Sequence, residues 1–512
     1  MRYILAYDVG TTGNRGSLYD EDGNLVGSCC AEYPTAYPHA TWAEQNPEHW
    51  WRSLIDSTDS LLQQSHVRAN AVACVTFSGQ MMGMVAADEH ARPLRDAIIW
   101  ADQRAVSQVS EVARRIDPRR VYTLTGHRLS PSYSAAKMLW LKNLEPHLYN
   151  QTHCFLQAKD FLIARLTGKF GTDHSDASAT NLYDLAQHAW SGELLDAFGL
   201  PAEKLPSIHE STDIIGEVHS SAARETGLSA GTPVVMGGGD GCCAATGAGV
   251  IREGTAYNYI GSSSWIALAT HQPILDPQMR TFTFAHLVRG MFSPCGTMQA
   301  AGASFQWARD ELATGDKLEG DGPEVSPYEL LNQDVLQSPP GARALIFLPY
   351  LLGERSPHWN PNARGVFVGL TVRHRRADLL RAVLEGVTLN LKVILEAFQR
   401  QGAAIEALRV IGGGAQSSVW NQIMADIFGV PVLRLALPSE ATSMGAAVAG
   451  GVGVGIWKDF SQVDHMVQVA SRTEPDKRRE ALYGKLYEIF NESYRCLDSA
   501  GIFDRLSSVD SG

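Results

Sequence analysis

Residues 1–30, MRYILAYDVGTTGNRGSLYDEDGNLVGSCC, are the stretch that decides the fold. Residues 3–9 (YILAYDV) are a largely apolar run typical of a buried strand, and the run stops at Gly10-Thr11-Thr12-Gly13. Further strands are predicted around Arg15–Tyr19 and Leu25–Cys30, separated by the turn signal Asp22-Gly23-Asn24. The pattern predicts two successive hairpins, the first of which turns on small residues just after Asp8.

A similar arrangement returns in the second half of the chain. Gly237–Gly241 is a glycine-rich stretch that includes Asp240, and a helix of small residues is expected to follow it. Ala256–Ile260 then leads into the small polar turn Gly261–Ser264, and Trp265–Ala269 resumes a strand. We interpret this as a repeat of architecture, with two related domains and a boundary near residues 247–256.

Apolar periodicity and capping residues predict several further elements. They are helices at His49–Gln64 and Asp378–Phe398, a helix beginning near Ser417 or Ser418, and strands at Val72–Phe77, Pro233–Met236 and Leu408–Ile411. The stretch 314–328 is the most loop-like part of the chain. The mixture of strands and helices predicts an α/β protein.

Composition limits the classes of function. At 512 residues the chain is expected to form two or more domains, and its formal charge of −12 argues against nucleic-acid and anionic-membrane partners. The N-terminus lacks an apolar signal core, and the glycine-rich apolar stretch Ala446–Trp457 is too short to span a bilayer. The eight cysteines include no C-x-x-C pair, so a zinc site is not expected. These features predict a cytoplasmic protein.

Three turns of small residues follow strands: Gly10–Gly13, Gly261–Ser264 and Gly412–Ala415. Such turns expose consecutive backbone N–H groups that bind phosphate oxygens, and a helix beginning just afterwards strengthens the effect. A single glycine turn usually means only a positive φ angle. Three of them, with an aspartate at the end of two strands, favour a phosphate-bearing ligand.

The commoner nucleotide and hydrolase signatures do not occur in the sequence. There is no G-x-x-x-x-G-K-[ST], no H-R-D or D-F-G set, no G-x-G-x-x-G opening a helix after an N-terminal strand and no G-x-S-x-G. P-loop NTPases, protein kinases, Rossmann dehydrogenases and α/β-hydrolases are therefore disfavoured.

Asp8 and Asp240 are the two carboxylates that both follow apolar strands and adjoin glycines. Phosphoryl transfer requires a carboxylate near the attacking hydroxyl and another that holds Mg²⁺ directly or through water. An aspartate beside glycine more commonly caps its own turn. Spacing alone leaves both interpretations open.

An ordered set of motifs resembles the FGGY carbohydrate kinase family and, within it, the xylulose kinases most closely. The motifs are Asp8-Val-Gly-Thr-Thr12, Ser78-Gly-Gln-Met81, Trp100-Ala-Asp-Gln-Arg104, Gly238-Gly-Asp240, Gly353-Glu-Arg-Ser-Pro-His358 and Gly412-Gly-Gly-Ala415. The resemblance implies two actin-like (ribonuclease H-like) domains around a central cleft. It places sugar binding and the catalytic base in residues 1–250 and nucleotide binding in residues 251–512.

The resemblance also implies roles for individual residues. Asp240 matches the family's catalytic base and Asp8 its metal-associated aspartate. The implied ATP-binding residues are Thr11, Thr12, Gly261, Ser262, Ser263, Gly413, Gly414, Ala415 and Asn421. The implied sugar-binding residues are Gln80, Met81, Met82, Asp102, Arg104 and Asp240. ATP and Mg²⁺ are the expected cofactors, and a homodimer is an expected assembly.

Two departures from the xylulose kinase pattern leave the sugar open. Met82 stands where those kinases have a histidine, and Gly241 stands where they tend to have an asparagine. Losing two hydrogen-bonding groups can change the preferred pattern of hydroxyls sharply. D-xylulose is the leading candidate, with another ketose or a sugar alcohol as alternatives. The rival class is an actin-like ATPase switch without sugar chemistry, which Gln80, Asp102 and Arg104 disfavour.

Overall fold

The N-terminal hairpins form one side of a six-stranded sheet with strand order β13-β14-β5-β1-β2-β3, in which β3 is an edge strand. Strands β1, β2 and β3 are antiparallel, whereas β5 pairs parallel with β1 and β14 pairs parallel with β5. The strands of this half are β1 Tyr3–Val9, β2 Gly13–Asp20, β3 Leu25–Glu32, β4 Glu44–Gln45, β5 Val72–Gly79, β6 Val85–Ala87, β7 Ala97–Ile98, β8 Cys154–Leu156, β9 Gly171–Asp173, β10 Tyr183–Asp184, β11 Ala189–Trp190, β12 Ser207–His209, β13 Ile214–Glu217 and β14 Pro233–Gly239.

Helices cover this first sheet. Residues 47–65 form a helix because Asn46 caps its N-terminus and Trp50, Trp51, Leu54 and Leu61 recur on one buried face. The helices of this half are α1 Pro47–Ser65, α2 Val106–Val112, α3 Pro118–Thr125, α4 Ser134–Leu144, α5 Pro146–Gln151, α6 Ala158–Thr167, α7 His174–Ser178, α8 Gly192–Phe198, α9 Ser220–Thr226 and α10 Asp240–Gly247.

The computed structural model describes residues 1–312, 327–436 and 440–510, so nearly all of the predicted loop 314–328 lies outside the described residues. In the described part of the second half, the strands are β15 Thr255–Ile260, β16 Ser264–Leu268, β17 Phe282–Ala285, β18 Phe292–Met298, β19 Ile346–Leu348, β20 Val366–Val368, β21 Ala407–Ile411, β22 Val432–Leu435 and β23 Val469–Thr473. The helices are α11 Gly302–Leu312, α12 Pro327–Leu336, α13 Arg376–Gln399, α14 Ser418–Phe428, α15 Ala441–Gly453, α16 Val463–Met466, α17 Glu480–Ser499 and α18 Ile502–Asp510.

The second sheet repeats the connectivity of the first. Its described strands follow the order β17-β18-β16-β15-β21-β22-β23. Strands β15, β16 and β18 are antiparallel, and β21 and β22 continue in parallel from β15. The segment β3-β2-β1-β5-β14 therefore has the same wiring as β18-β16-β15-β21-β22. The predicted repeat of architecture is confirmed, whereas the boundary near residues 247–256 stays a prediction.

Helices α10 and α15 follow equivalent strands in the two halves and cross at backbone contact. A Cβ on Gly247 of α10 would lie 1.7 Å from the carbonyl oxygen of Ala441, and one on Gly445 of α15 would lie 2.0 Å from that of Cys243. Only glycine permits so close an approach. The two halves thus meet through main-chain atoms.

The longest helix, α13, is the centre of the second hydrophobic core. Leu380, Leu384, Val387, Leu391 and Ile394 on this helix are fully buried. They pack with residues of β15, β21 and α14, so α13 supports the strands from which the glycine turns emerge. Within the described residues, no helix is long and apolar enough to cross a bilayer.

Candidate active site

Asp8 and Asp240 lie at the carboxyl ends of strands in the first sheet. Asp8 is the penultimate residue of β1, and Asp240 directly follows β14. Strand β5 runs between them, pairing Ser78 with Asp8 and Gly79 with Gly239. Since parallel strands end at one edge of a sheet, the two carboxylates share that edge, and the charge of Asp8 acts on Asp240.

Burial and hydrogen bonding act in opposite directions on this carboxylate pair. Burial raises the pKa of Asp8 to about 6, although the Ser78 hydroxyl donates a 3.0 Å hydrogen bond to its Oδ1 and Arg15 lies nearby. Burial, aided by the negative charge of Asp8, raises the pKa of Asp240 to about 7, against a 2.7 Å hydrogen bond from the Gly241 N–H. A carboxylate with a pKa near 7 is suited to accept a proton at neutral pH.

The first loop, Gly10–Gly13, turns its carbonyl groups into the domain. The Gly10 N–H donates to the Gly13 carbonyl at 3.0 Å. The Tyr33 hydroxyl donates to the Gly10 carbonyl at 2.5 Å, and Gln45 Nε2 donates to the Thr11 carbonyl at 2.6 Å. These contacts fix the loop from its inner side.

The opposite side of this loop presents hydrogen-bond donors. Among the described residues, no acceptor bonds the backbone N–H of Thr11 or Thr12. The Thr12 side chain is exposed, while Thr11 Oγ1 accepts a 2.9 Å hydrogen bond from Trp100 Nε1. Free consecutive N–H groups of this kind can bind an anion such as a phosphate.

The second loop, Gly261–Ser263, is fixed in the same manner in the other half. The Gly261 N–H donates to the Ser263 carbonyl at 2.9 Å. The carbonyls of Gly261 and Ser262 accept hydrogen bonds of 2.9–3.0 Å from the backbone of residues 301–303, where α11 begins. Ser262 is exposed, as Thr12 is, and the adjoining helix N-terminus adds a favourable dipole for anions.

The third loop includes one glycine that faces open space and one that is packed. A Cβ on Gly413 would meet nothing within 4 Å, whereas one on Gly414 would lie 2.4 Å from Ile260 Cγ2. Ala415 is buried, and its carbonyl accepts a 2.9 Å hydrogen bond from Asn421 Nδ2. Gly413 is therefore the position where a ligand can approach the backbone, and Asn421 stabilises the loop from behind.

Met81 packs against the turn that includes the predicted base, and Met82 follows it in the same loop. A Cβ on Gly239 would lie 2.6 Å from Met81 Sδ, so the Met81 side chain covers the turn that leads to Asp240. Met82 has a positive φ of 64°, and its carbonyl accepts a 2.7 Å hydrogen bond from the buried Lys137 Nζ. The described structure thus brings the predicted sugar-side loop to Asp240.

Gln80 connects this loop with the first phosphate loop. Its Nε2 donates to the Gly10 carbonyl at 3.2 Å and to Gln45 Oε1 at 2.8 Å. Its Oε1 is buried and has no hydrogen-bond partner among the described residues. That oxygen is the atom of the Gln80 side chain whose hydrogen-bonding capacity is unused among the described residues.

Asp102 and Arg104 form a buried ion pair. Arg104 Nη2 lies 2.7 Å from Asp102 Oδ2, which also accepts a 2.7 Å hydrogen bond from the Ala43 N–H. Arg104 Nη1 lies 2.7 Å from Glu44 Oε1, and its guanidinium stacks 3.7 Å from the Trp42 ring centroid. Both side chains make ion pairs within the domain, although Arg104 Nη1 has no hydrogen bond among the described residues, and their predicted contact with the sugar stays a prediction.

Two consecutive stretches of the sequence match the two domains of one protein family. Residues 3–247 match the N-terminal domain of the FGGY family of carbohydrate kinases, and residues 256–454 match its C-terminal domain. The chain belongs to the FGGY family of carbohydrate kinases. A kinase of this family takes a sugar and ATP as substrates.

Relatives of this FGGY kinase align with it over almost its whole length. The xylulose kinase of Bacillus subtilis (strain 168) is 31% identical over 495 residues, which are 96% of this chain and 97% of the relative. The gluconokinase of the same organism is 30% identical over 504 residues, covering 97% of this chain and 96% of the relative. The family resemblance stated from the motifs is confirmed.

Solved structures give the same result for the fold. The xylulose kinase from Lactobacillus acidophilus has a TM-score of 0.90 at 29% identity, with 97% of this chain and 99% of that chain covered. The gluconate kinase from Lactobacillus acidophilus also has a TM-score of 0.90 at 29% identity, covering 97% of this chain and 98% of that chain. The predicted α/β fold with two actin-like domains is confirmed.

Several residues at this FGGY kinase's site had no predicted role. Ser78 lies inside a quoted motif, yet its hydrogen bond to Asp8 depends on strand pairing. Glu354, also within a motif, is buried and has its pKa raised to about 8, despite accepting hydrogen bonds of 2.9 Å from the N–H groups of Gln299 and Arg355. Gln299 is close in sequence to the segment that supports the second loop, so Glu354 stabilises that support.

Proposed function

We propose that this kinase transfers the γ-phosphoryl group of ATP to a hydroxyl of a ketopentose such as D-xylulose, with Asp240 as the base. The observation that supports this most strongly is the half-buried Asp240 carboxylate, whose pKa is raised by desolvation to about 7. It lies on the same sheet edge as Asp8 and the N–H groups of the first loop. A proton acceptor beside phosphate donors is the arrangement that phosphoryl transfer requires.

In the proposed reaction the protein forms no covalent bond to either substrate and accepts only a proton. The sugar hydroxyl oxygen attacks the γ-phosphorus in line, its proton passes to Asp240, and the bond to the ADP oxygen breaks. The N–H groups of Thr11, Thr12 and Ser262 hold phosphate oxygens, and the nucleotide approaches the backbone at Gly413. Closure of the two halves excludes water and so limits hydrolysis of ATP.

Asp8 suits the role of magnesium-associated carboxylate. Its Oδ1 accepts the Ser78 hydrogen bond, while no described residue donates to its Oδ2. No group of three or more His, Cys, Asp or Glu among the described residues could hold a metal. This fits Mg²⁺, which binds through one or two carboxylates, phosphates and water and, when bound, neutralises phosphate charge.

The relatives favour a ketopentose and add an aldonate as second candidate. Xylulose kinases and gluconokinases match this chain with almost equal identity, 31% and 30%. Met82 and Gly241 remove two side chains that could bind sugar hydroxyls, so another ketose or a sugar alcohol also belongs in the comparison. Initial rates over pentuloses, hexuloses, polyols and gluconate would rank the candidates. A D-xylulose kcat/KM well below that of another acceptor would overturn the xylulose assignment.

The role of Asp240 is tested by Asp240→Asn. We expect this variant to bind ATP normally and to lose nearly all sugar phosphorylation, because the amide cannot accept the proton. Asp213→Asn is a suitable control, since Asp213 is also an aspartate of the first half but is 47% exposed. Substantial turnover by Asp240→Asn would show that another group is the base.

The rival function, an ATP-driven switch without sugar chemistry, makes a different prediction. ADP release by a switch would not depend on sugar, whereas a kinase releases ADP faster when its acceptor is present. Measuring ADP release with and without the sugar panel separates the two. The cytoplasmic location and the homodimer stay predictions, the latter open to light scattering after size-exclusion chromatography.

A further inference from the structure

Strand β14 loses its outer neighbour before it reaches Asp240. Strand β13 pairs with β14 only as far as Val235, and the register of β14 against β5 then shifts before Gly238. Gly237 at the shift has a φ of 64°, and a Cβ there would lie 1.9 Å from the Phe77 carbonyl oxygen. On the side away from β5, the last residues before Asp240 therefore need partners other than a strand.

Ser175 provides that partner. Its Oγ accepts a 2.8 Å hydrogen bond from the N–H of Gly239, the residue directly before Asp240. Ser175 is fully buried, and its Oγ would lie 2.9 Å from a Cβ on Gly238. Because a buried N–H without an acceptor costs about 1–3 kcal/mol, this single hydroxyl strongly favours the observed path of the backbone.

Asp173 fixes the direction of the Ser175 hydroxyl. Asp173 Oδ2 accepts both the Ser175 backbone N–H, at 2.7 Å, and the Ser175 Oγ–H. A hydroxyl has one proton to donate, so the Ser175 oxygen is left to accept the hydrogen bond from Gly239. The carboxylate thus makes Ser175 an acceptor toward the strand.

Lys159 anchors Asp173 in turn. Its Nζ lies 2.9 Å from Asp173 Oδ1, 2.6 Å from Asp160 Oδ1 and 3.0 Å from Asp176 Oδ2, and all four side chains are buried. The backbone of Lys159 also lies against Gly79, since a Cβ on Gly79 would be 3.0 Å from the Lys159 nitrogen. The network thus contacts β14, which leads to the predicted base, and its neighbour β5.

We infer that Ser175 is a positioning residue for Asp240, and that Asp173 and Lys159 act through it. This inference rests on the proposed function, in which Asp240 is the base. Removing the Ser175 oxygen lets the junction between β14 and α10 shift, and Asp240 then no longer meets the sugar hydroxyl in the reactive geometry. Misplacement by about 1 Å can lower a rate on the order of 100-fold.

The test is the single-turnover rate constant of sugar phosphate formation by Ser175→Ala, measured with enzyme in excess over ATP and with saturating sugar. Unfolded molecules reduce the amount of active enzyme but not this saturated rate constant, so loss of stability alone leaves it unchanged. We expect the rate constant to fall at least about tenfold, with KM for ATP within about threefold of the unchanged enzyme. Ser178→Ala is the matched control, because Ser178 is equally buried on α7 but its hydroxyl donates to the Ser175 carbonyl and accepts from the Ala285 N–H, with no hydrogen bond to β14 among the described residues.

Asp173→Asn provides a second variant should Ser175→Ala fail to fold. It keeps the size of the side chain but weakens the anchoring of the Ser175 hydroxyl, so a smaller fall in the same rate constant is expected. A rate constant for Ser175→Ala equal to that of Ser178→Ala would overturn the inference, as would an unchanged rate constant for Asp173→Asn if the serine variant does not fold. If Asp240→Asn itself phosphorylates sugar, the proposed base is wrong. If it is inactive while Ser175→Ala behaves normally, only the positioning role fails.

Discussion

Gly414 of the third loop packs directly on Ile260, the last residue of β15, while its neighbour Gly413 faces open space. A Cβ at position 414 would lie 2.4 Å from Ile260 Cγ2 and 3.0 Å from the Trp420 ring, whereas one at position 413 would meet nothing within 4 Å. Because β15 continues into Gly261, this contact joins the second and third loops. Two adjacent glycines thus serve different purposes.

This difference predicts opposite effects for two alanine variants. Gly414→Ala should lower the free energy of unfolding by about 1–3 kcal/mol, because the methyl group overpacks against Ile260. Gly413→Ala should keep the stability of the unchanged enzyme but raise KM for ATP by about tenfold, because its methyl occupies the nucleotide's approach. Urea unfolding and ATP titrations measure the two effects, and each variant is the control for the other. Equal stabilities, or an unchanged KM for Gly413→Ala, would contradict the assignment.

Ionisation of Asp240 should make the folded protein less stable as pH rises. Burial raises its folded-state pKa to about 7 from an ordinary value of 3.8. The stability of the protonated form is therefore fully present below about pH 4 and is lost as pH rises through about 7. Asp240→Asn escapes this loss, so it should exceed the unchanged protein by at least ~1 kcal/mol at pH 8 and match it near pH 4. Denaturation at both pH values tests this, and a constant difference would refute it.

The acid limb of activity should reflect the same pKa. If Asp240 is the base, kcat/KM should fall about tenfold per pH unit below about pH 7, because only the ionised carboxylate accepts a proton. The negative charge of Asp8 helps to raise this pKa, so the residual activity of Asp8→Asn should have its acid limb at lower pH. A pH–rate profile of both enzymes gives the comparison. An unmoved limb would mean that the two carboxylates do not interact as described.

Arg104→Lys should lower the stability of the fold more than it affects sugar binding. Lysine cannot reproduce the paired contacts with Asp102 and Glu44 or the stacking on Trp42. We expect the free energy of unfolding to fall by about 1–3 kcal/mol, because lysine keeps the charge but leaves buried carboxylate oxygens without their hydrogen-bond partners. Arg115→Lys is a control, since Arg115 forms a partly exposed pair with Glu111. A raised KM for sugar without loss of stability would instead favour the predicted sugar contact.

Local patterns predicted most of the secondary structure. Helix α13 and strands β1, β15 and β21 lie within two residues of their predicted bounds, since apolar periodicity and capping act over short distances. Ser417 accepts the Trp420 N–H as an N-cap, as expected from its position before that helix. These features need no knowledge of tertiary contacts.

The supporting contacts of the site could not be predicted in this way. The hydrogen bond between Ser175 and Gly239 joins residues 64 positions apart, and it arises only because β13 ends before β14 does. Likewise, a motif placed Asp102 and Arg104 at the sugar. The residues that contact the Arg104 guanidinium, Trp42 and Glu44, are distant from it in sequence and could not be inferred from that motif. Asn421 was expected at the nucleotide, and that contact stays a prediction. Its amide nitrogen also donates to the Ala415 carbonyl, a contact that the motif does not indicate. Side-chain direction depends on packing that a motif does not record.

The crossing of α10 and α15 limits which substitutions the enzyme can accept during evolution. At Gly247 and Gly445 the main chains of the two helices are in direct contact. No side-chain rearrangement at either position can therefore adjust the distance between the two halves. Substitutions on the outer surfaces can accumulate without altering the spacing between base and phosphate. A single methyl group at the crossing would push the two helices apart and so widen that spacing directly. The crossing of α10 and α15 therefore restricts which substitutions this kinase tolerates as much as its catalytic groups do.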